Sequence, residues 1–387
     1  MKNLPAVRTK ETFQQLFEST GTMFFCPGRI NLIGDHIDYN GGWVLPAAIS
    51  LGTYAMASLN NKNTFSLYSC NFEQSAIQID LSATSLQQKL KGHWAAYVVG
   101  SLLEIEKQTG KKLSGMNIVF NGDIPRGSGL SSSASLEVLT CYLACYLNQI
   151  SIDKTAISCW AQASENQFVG VNCGIMDQFA VANGEEGKAL LLNCNSLNYE
   201  LIPINLGNKV LVVMNSSKPR QLVESKYNER RMESEEALKQ IQSIRNIDKL
   251  TEATLEDIQI IRDSLIRKRA HHVVTENRRV IESVEALKKN NLIRFGQLLS
   301  ESHESLRLNY ETSGKEMDQL VAAAQQNKDC LGARIMGGGF GGCALALVKK
   351  DGIDQFIQSV EKKYLSTIGY KAEFYLPLLT DGVKELE

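Results

Sequence analysis

The first half of the chain alternates short apolar runs of strand length with longer segments whose apolar residues recur at helical spacing. Helices need about ten residues or more, whereas strands take about four to eight. On this criterion the pattern predicts strands at residues 23–26, 44–50, 116–120 and 189–193 and helices at residues 132–147 and 154–168. A mixture of this kind indicates the α+β class.

The second half begins with one more predicted strand, at residues 210–214. A long charged segment follows at residues 225–298 and predicts mostly helix. Further strands then flank a predicted helix, with the strands at residues 333–336, 344–348 and 372–376 and the helix at residues 353–364. Because the pattern changes near residue 205, we expect two α+β domains, residues 1–204 and 205–387.

The charges are balanced, since 41 Lys and Arg stand against 42 Asp and Glu. The net charge therefore produces no strong positive electrostatic field that would attract nucleic acid or an anionic membrane, and we expect a small substrate. The apolar runs are far shorter than the roughly 18 residues of a membrane span, and the first residues resemble neither a secretory signal nor a transit peptide. None of the nine cysteines forms a C-x-x-C pair. A cytoplasmic protein with reduced thiols is therefore predicted.

Basic residues cluster at residues 262–272, within the long charged segment. Such a cluster could bind an anion or nucleic acid, but acidic neighbours and the balanced net charge favour a solvated helix face. We assign this stretch no binding function.

A segment rich in glycine and serine, residues 122–135, lies between a predicted strand and a predicted apolar helix. Glycines let the backbone approach a ligand closely, while the unpaired N–H groups and the dipole of the first helical turn favour an anion. The segment therefore predicts a phosphate-binding loop. It is not a Walker A motif because no Lys follows the glycines, and Ser132 replaces the last glycine of a G-x-G-x-x-G pattern. An ordinary capped helix after a tight turn is the alternative.

A second glycine-rich segment, residues 337–342, does match G-x-G-x-x-G. A dinucleotide site needs a helix after the glycines, whereas a strand-like run follows here, and too few residues remain for the rest of a Rossmann domain. We therefore reject a dinucleotide-dependent oxidoreductase and predict a glycine-rich turn between two strands. The turn either packs against a bound ligand or is a purely structural hairpin.

Polar residues crowd a third segment, residues 27–42, between two strand-like runs. Asp35, His36 and Asp38 lie in it and are followed by glycines. Carboxylates accept hydrogen bonds from hydroxyls and an imidazole can donate one, so the cluster suits a polyol. A metal site, for which no further ligands can be named, and a solvated loop without a role are the alternatives.

Asp177 lies among apolar residues in a fourth segment, residues 163–178, which joins a predicted helix to a glycine-rich turn. Its working protonation state would depend on a partner such as Arg29. Since a lone Asp in a turn is often a cap, catalysis and capping are both open interpretations at this point.

Taken in this order, the motifs resemble those of the GHMP small-molecule kinases and, within that superfamily, the galactokinase family. The matching segments are residues 28–39, 125–134, 165–170, 174–178, 227–231, 272–277, 302–306 and 332–342. The resemblance implies an α+β, two-domain GHMP kinase fold. Its N-terminal domain would contain a left-handed β-α-β unit, its C-terminal domain would be ferredoxin-like, and the active site would lie between them.

The resemblance also implies roles for individual residues. Arg29 and Asp177 would be the catalytic pair that flanks the anomeric hydroxyl. The sugar would lie against Asp35, His36, Ile37, Asp38, Gly174 and Tyr227. The ATP phosphates would lie on Gly127, Ser128, Gly129, Leu130, Ser131, Ser132 and Ser133, and the adenine near Ser69, Trp94 and Tyr97. Ser133 and Glu165 would hold Mg²⁺, because a hydroxyl and a carboxylate suit a hard cation that keeps several waters.

The implied reaction is ATP-dependent phosphorylation of the C1 hydroxyl of galactose, giving galactose 1-phosphate and ADP. The implied cofactors are ATP and Mg²⁺, the only expected partners are the sugar and ATP, and a monomer is the expectation for the family. A kinase for N-acetylgalactosamine or arabinose would share the motifs. A non-catalytic sensor of galactose and ATP is the other alternative, against which the intact phosphate loop, Arg29 and Asp177 argue.

Four residues depart from the pattern of the family. Asp35 stands where Glu is more common, Cys26 where Ala is, Met336 where Thr is, and Arg126 at a usually apolar position of the phosphate loop. The shorter carboxylate of Asp35 would make a longer or water-bridged sugar contact. The thioether of Met336 cannot replace a hydroxyl donor, so turnover or selectivity could differ.

Overall fold

The computed structural model of the protein describes residues 4–60, 62–72, 76–125, 127–218 and 223–386, with no side chains described for residues 223–225. Arg126 lies outside the described residues. The helices are α1 (Leu4–Phe17), α2 (Leu86–Lys89), α3 (Ala95–Thr109), α4 (Ser132–Leu147), α5 (Lys154–Ser164), α6 (Met176–Asn183), α7 (Val223–Gln242), α8 (Ser264–Lys288), α9 (Leu292–Ser305), α10 (Lys315–Gln325) and α11 (Ile353–Ile368). The strands are β1 (Thr22–Asn31), β2 (Trp43–Val44), β3 (Pro46–Leu59), β4 (Phe65–Ser69), β5 (Ile77–Ile79), β6 (Met116–Gly122), β7 (Lys188–Asn193), β8 (Tyr199–Pro203), β9 (Lys209–Asn215), β10 (Cys330–Ile335), β11 (Cys343–Lys349), β12 (Glu373–Tyr375) and β13 (Lys384–Leu386). Over the ranges just given, no helix combines the length and the apolar character needed to cross a membrane.

The N-terminal half builds a sheet with the strand order β13-β1-β3-β6-β4-β5. Its neighbouring strands are antiparallel except for β4 and β6, which are parallel. Between those two the chain runs through β5, α2 and α3, and this is the β-α-β connection that the family resemblance implies. Helix α4 packs on β1 and β3 and against α3 and α5, and apolar residues such as Phe24, Leu102 and Val138 form the core there.

The C-terminal half builds an antiparallel sheet with the order β10-β11-β9-β12. Helices α7 to α10 connect β9 to β10, and α11 connects β11 to β12. This β-α-β-β-α-β connectivity is that of a ferredoxin-like domain. The glycine-rich segment at residues 337–342 joins the antiparallel strands β10 and β11, as predicted. A small third sheet, β2-β7-β8, contacts α8.

The long charged segment is interrupted where the sequence pattern predicted mostly helix. Helix α7 ends at Gln242, and α8 begins only after Asp263, whose carboxylate accepts hydrogen bonds from two N–H groups of the first turn. Helix α3 was not predicted, because Val98, Val99 and Gly100 weaken its helical signal. Strand β5 was missed because it has only three residues, and β4, although five residues long, has Ser66 and Ser69 in place of a continuous apolar run.

The basic stretch at residues 262–272 contains a buried cation, so the prediction of a solvated helix face was wrong for part of it. Arg262 and Lys268 are exposed to solvent, whereas Arg269 is buried, with only 1% of its surface exposed. The guanidinium of Arg269 pairs with Glu233 on α7 and with Glu311. These partners lie 36 and 42 residues away along the chain, so the local pattern could not reveal them.

The last strand returns to the N-terminal sheet. β13 pairs antiparallel with β1, placing Leu386 opposite Met23. The N–H of Thr380 donates to the carbonyl of Ala48 at 3.1 Å. The end of the described chain therefore completes the first sheet, and the split near residue 205 stays a prediction.

Candidate active site

A cavity of about 270 Å³ lies where three segments meet. They are the polar segment at residues 27–42, called the polar loop, the predicted phosphate-binding segment at residues 127–133, called the phosphate loop, and the β10–β11 turn at residues 337–342. Helix α6 contributes Met176 and Asp177 from its first turn to the wall, and α7 contributes Tyr227 and Asn228. The predicted site residues in this wall are Arg29, Asp35, His36, Asp38, Tyr97, Gly127, Gly129, Ser131, Ser132, Ser133, Glu165, Gly174, Asp177 and Tyr227. Segments from both halves of the chain are thus brought together at one place.

The other predicted site residues do not line this cavity. Ile37, Ser128 and Leu130 are at most 1% exposed. Ser69 and Trp94 line a second cavity, of about 190 Å³. The second cavity adjoins the first, since both are lined by Tyr97, Ser132 and Ser133.

Arg29 on β1 and Asp177 in the first turn of α6 form a bidentate ion pair. Arg29 Nε donates to Asp177 Oδ1 at 2.9 Å, and Nη2 donates to Oδ2 at 2.7 Å. The remaining Nη1 donates to the carbonyl of Gly129 at 2.6 Å. Because the guanidinium is a rigid planar fork, these bonds fix the carboxylate at the cavity and connect it to the phosphate loop.

Asp35 is buried in the polar loop and is held by three donors. Asn31 Nδ2 donates to Oδ1 at 2.6 Å, while the guanidinium of Arg334 and the N–H of Gly337 donate to Oδ2, the latter at 3.1 Å. Arg334 is itself fully buried and also donates to the carbonyls of Asn31 and Leu32. The buried ion pair therefore joins the polar loop to the β10–β11 turn.

Asp38 lies so close to Gly174 that no side chain fits there. A Cβ at Gly174 would lie 1.9 Å from Asp38 Oδ2. Burial raises the pKa of Asp38 to about 7, and the nearby carboxylate of Asp177 adds to this shift. The cavity thus contains a carboxyl that titrates near neutral pH, and a hydroxyl donor would stabilise its ionised form.

His36 begins a chain of polar contacts that leads away from the cavity. Its Nδ1 lies 2.8 Å from the hydroxyl of Tyr39, which lies 2.9 Å from that of Tyr310. Tyr310 continues to the hydroxyl of Ser234 on α7 at 2.7 Å. Burial lowers the pKa of His36 to about 3, with a contribution from His272, so the ring is neutral at pH 7. A neutral imidazole held through Nδ1 can offer Nε2 to a ligand.

The phosphate loop approaches α4 in left-handed backbone conformations. Gly127, Gly129 and Ser131 have φ values of +70°, +79° and +64°. Ser131 immediately precedes α4, but its side chain does not cap the helix. Its hydroxyl donates instead to Asp177 Oδ2 at 2.6 Å. The helix therefore lacks the side-chain cap of the alternative interpretation, and its first-turn N–H groups suit an anion.

Ser133 and Glu165, the residues implied for Mg²⁺, line the cavity together with Asp177. Glu165 is 6% exposed and accepts a hydrogen bond from Gln178 at 2.6 Å. Burial raises the pKa of Glu165, and the carboxylate of Asp177 adds to the shift, so a bound cation would stabilise the ionised form of Glu165. The described residues contain no group of three or more His, Cys, Asp or Glu side chains suited to a metal ion. The hydroxyl and carboxylate fit a Mg²⁺ ion that takes its other ligands from phosphate and water.

Met336, one of the departures from the family pattern, is 2% exposed and lines the cavity. Its thioether accepts a hydrogen bond from the N–H of Asn31 at 3.2 Å. The side chain therefore supplies a hydrogen-bond acceptor to the backbone of β1.

The sequence did not predict three contacts of the site, which join Arg334 to Asp35, Gln178 to Glu165 and Ser131 to Asp177. Arg334 and Gln178 lie inside motifs that carried the family resemblance, so their position beside assigned residues could have indicated the first two contacts. The bond between Ser131 and Asp177 joins residues 46 positions apart, and the sequence carries no signal for it.

Models of known families match three stretches of the chain. They are the galactokinase galactose-binding signature at residues 11–59, the GHMP kinases N terminal domain at residues 96–185 and the GHMP kinases C terminal at residues 283–366. The two GHMP matches cover parts of both halves and agree with the α+β fold described above.

Curated relatives and solved structures agree with these matches. The galactokinase of Clostridium acetobutylicum is 43% identical over 388 residues, covering 99% of each chain. The galactokinase of Exiguobacterium sibiricum is 42% identical, covering 98% of this chain and 99% of the relative. The crystal structure of Lactococcus lactis galactokinase complexed with galactose has a TM-score of 0.94 and 41% identity, covering 98% of this chain and 99% of that one. Methanococcus jannaschii mevalonate kinase, at 17% identity and a TM-score of 0.65 over 94% of this chain and 99% of its own, shares the fold. The chain belongs to the galactokinase family of the GHMP kinases.

Proposed function

We propose that the protein transfers the terminal phosphoryl group of ATP to the C1 hydroxyl of galactose, giving galactose 1-phosphate and ADP. The observation that carries this proposal is the cavity in which the polar loop and the phosphate loop meet around the pair of Arg29 and Asp177. The relative from Lactococcus lactis, whose crystal structure contains galactose, supports the choice of sugar.

In this proposal the polar loop binds the sugar. Hydroxyls of galactose would donate to Asp38, whose carboxylate form they stabilise, and would contact the free nitrogen of the neutral His36 ring. The ring of Tyr227 has its centroid 5.4 Å from that of His36 and would lie beside the sugar. Asp35, already bonded to Arg334 and Gly337, would hold the loop in shape as well as contact the sugar.

The pair of Arg29 and Asp177 would act on the reacting hydroxyl. Asp177 would accept its proton or orient it without taking the proton. Arg29 would place positive charge beside the phosphoryl group as it transfers. Phosphoryl transfer passes through a loose transition state, so positioning and electrostatic stabilisation would supply most of the catalysis.

We infer that ATP places its phosphates at the N-terminus of α4 and its adenine in the second cavity, near Ser69, Trp94 and Tyr97. Ser133 and Glu165 would hold Mg²⁺. When bound, this ion neutralises phosphate charge and orients the phosphate oxygens.

The experiment that tests the proposed function is ADP release by the purified protein with Mg-ATP. The panel contains galactose, N-acetylgalactosamine, arabinose, glucose and a control without sugar. We expect the highest kcat/KM with galactose. Preference for another sugar would keep the mechanism but change the substrate, whereas galactose binding without ADP release would indicate a non-catalytic sensor.

A further inference from the structure

The hydroxyl of Ser131 forms a hydrogen bond with Asp177 and does not cap α4, the helix that Ser131 precedes. A serine in this position usually accepts a hydrogen bond from an N–H of the first turn. Ser131 has φ +64° and ψ +48°, a left-handed conformation that is unfavourable for a residue with a Cβ. In this conformation its Oγ donates to Asp177 Oδ2 at 2.6 Å. The loop thus retains an unfavourable backbone conformation in which the side chain reaches Asp177.

This bond makes the two oxygens of Asp177 unequal. Oδ2 accepts from Ser131 Oγ at 2.6 Å and from Arg29 Nη2 at 2.7 Å. Oδ1 accepts from Arg29 Nε at 2.9 Å. Each carboxylate oxygen offers about two acceptor sites. Counting donors from the described part of the chain, Oδ2 is fully used and Oδ1 keeps one site for a further donor.

We propose that Ser131 is a positioning residue for Asp177. The hydroxyl of Ser131 fills the remaining acceptor site of Asp177 Oδ2 and holds the carboxylate so that Oδ1 receives the C1 hydroxyl of the sugar. The inference rests on the proposed function, because it concerns the hydroxyl that is phosphorylated. It differs from the expectation that Ser131 binds the ATP phosphates. The loop would then set the position of the whole pair, since Gly129 accepts from Arg29 and Ser131 donates to Asp177.

Two variants that lack the hydroxyl test the proposal. Ser131→Gly relieves the left-handed strain, whereas Ser131→Ala keeps it, so the Gly variant should have the higher melting temperature. We expect both to lose at least about tenfold in kcat with galactose, the effect of one hydrogen bond to a charged group, while KM for ATP stays nearly constant. If Ser131 had only a structural role, the less stable variant should lose more kcat. Equal losses of kcat in the two variants would therefore indicate that the hydroxyl acts on Asp177.

Ser85→Gly is the matched control. Ser85 also precedes a helix, α2, with φ +62° and no side-chain cap, and it is exposed. Its substitution should leave kcat at the wild-type value.

A wild-type kcat in Ser131→Gly would overturn the proposal. So would an unchanged kcat with a raised KM for ATP, because Ser131 would then act on the phosphates. In an Asp177→Ala background, Ser131→Gly should cause no additional loss of kcat, and a further tenfold loss would count against the proposal. Turnover of galactose by the wild type tests the proposed function separately, so the two failures are distinguishable.

Discussion

The carboxylate of Asp38 occupies the space that any side chain at Gly174 would need. A Cβ at Gly174 would meet Oδ2 of Asp38 at 1.9 Å and its Cγ at 2.3 Å. Asp38 belongs to the polar loop and Gly174 to the segment before α6, which carries Asp177. The glycine therefore lets two segments that line the cavity touch.

Gly174→Ala should displace Asp38 and weaken galactose binding. We expect kcat/KM for galactose to fall by about 10²-fold, since a displacement of about 1 Å in a site can have that effect. Initial rates at varied galactose concentrations measure it. Gly314→Ala is the control, because a Cβ there would lie an ordinary 3.6 Å from Lys218 Nζ. Unaltered kinetics in Gly174→Ala would show that the contact is dispensable.

Asp177→Asn should lower kcat by at least about 10²-fold, the low end of general-base effects. The amide keeps the size of the side chain but loses the charge that pairs with Arg29. Galactose binding measured by calorimetry should persist. Asp153→Asn, at the exposed cap of α5, is the control and should keep wild-type turnover. Near wild-type turnover in Asp177→Asn would remove this residue from the mechanism.

The stability of the protein should depend on pH through Asp38. Its pKa is raised from 3.8 to about 7 by burial and by Asp177, so the folded state binds the proton more tightly than the unfolded chain. The free energy of unfolding should therefore decrease as the pH rises through this interval, and the loss should be complete above the folded pKa.

Asp38→Asn removes this titration. Relative to the wild type, the variant should be more stable at pH 8 than at pH 5, by about 3 kcal/mol, while galactose affinity is lost. Urea unfolding of both proteins at the two pH values measures the difference. An identical difference at both pH values would mean that Asp38 titrates normally.

Asp35→Glu, which introduces the residue expected from the family resemblance, should destabilise this protein. Asp35 is 1% exposed and both its oxygens already have donors, so an extra methylene should cost about 1–3 kcal/mol of the free energy of unfolding. Asp354→Glu, exposed in the first turn of α11, should have little effect. If Asp35→Glu unfolds at the wild-type urea concentration, the site has room for the longer side chain.

Met336→Leu should leave the N–H of Asn31 without its sulfur acceptor. We expect a loss of about 1 kcal/mol in the free energy of unfolding, because a buried donor loses its partner while the volume is nearly kept. Met56→Leu is the comparison, since Met56 is buried in a small apolar cluster with Phe13 and Val119. Equal effects of the two substitutions would argue against a special role for the sulfur.

Regular elements with strong periodicity were predictable from the sequence. Helix α4 has the predicted bounds, because its apolar residues recur at helical spacing after a loop of glycines and serines. Strand β1 was predicted only at residues 23–26, yet it continues to Asn31 through Pro27 and Gly28, residues that indicate a turn. Pairing with β3 and a bond from the N–H of Arg29 to the carbonyl of Leu130 hold it extended.

The motifs singled out segments that the structure brings together at one cavity, but they did not indicate how the side chains pair. The ion pair of Asp35 and Arg334 spans 299 positions of sequence, and the pair of Arg29 and Asp177 spans 148. Such pairs depend on how elements distant in sequence pack against one another, which local patterns do not encode. The left-handed backbone of Ser131 was unpredictable for a related reason, since a serine before a helix normally caps it.

The pairing of β13 with β1 has a consequence for synthesis on the ribosome. Without residues 384–386, β1 would be the edge strand of its sheet, next to β3 alone. An unpaired edge can recruit other strands and promote aggregation. A nascent chain would therefore expose this edge of β1 until residues 384–386 have left the exit tunnel, and chaperone dependence should be greatest during that interval.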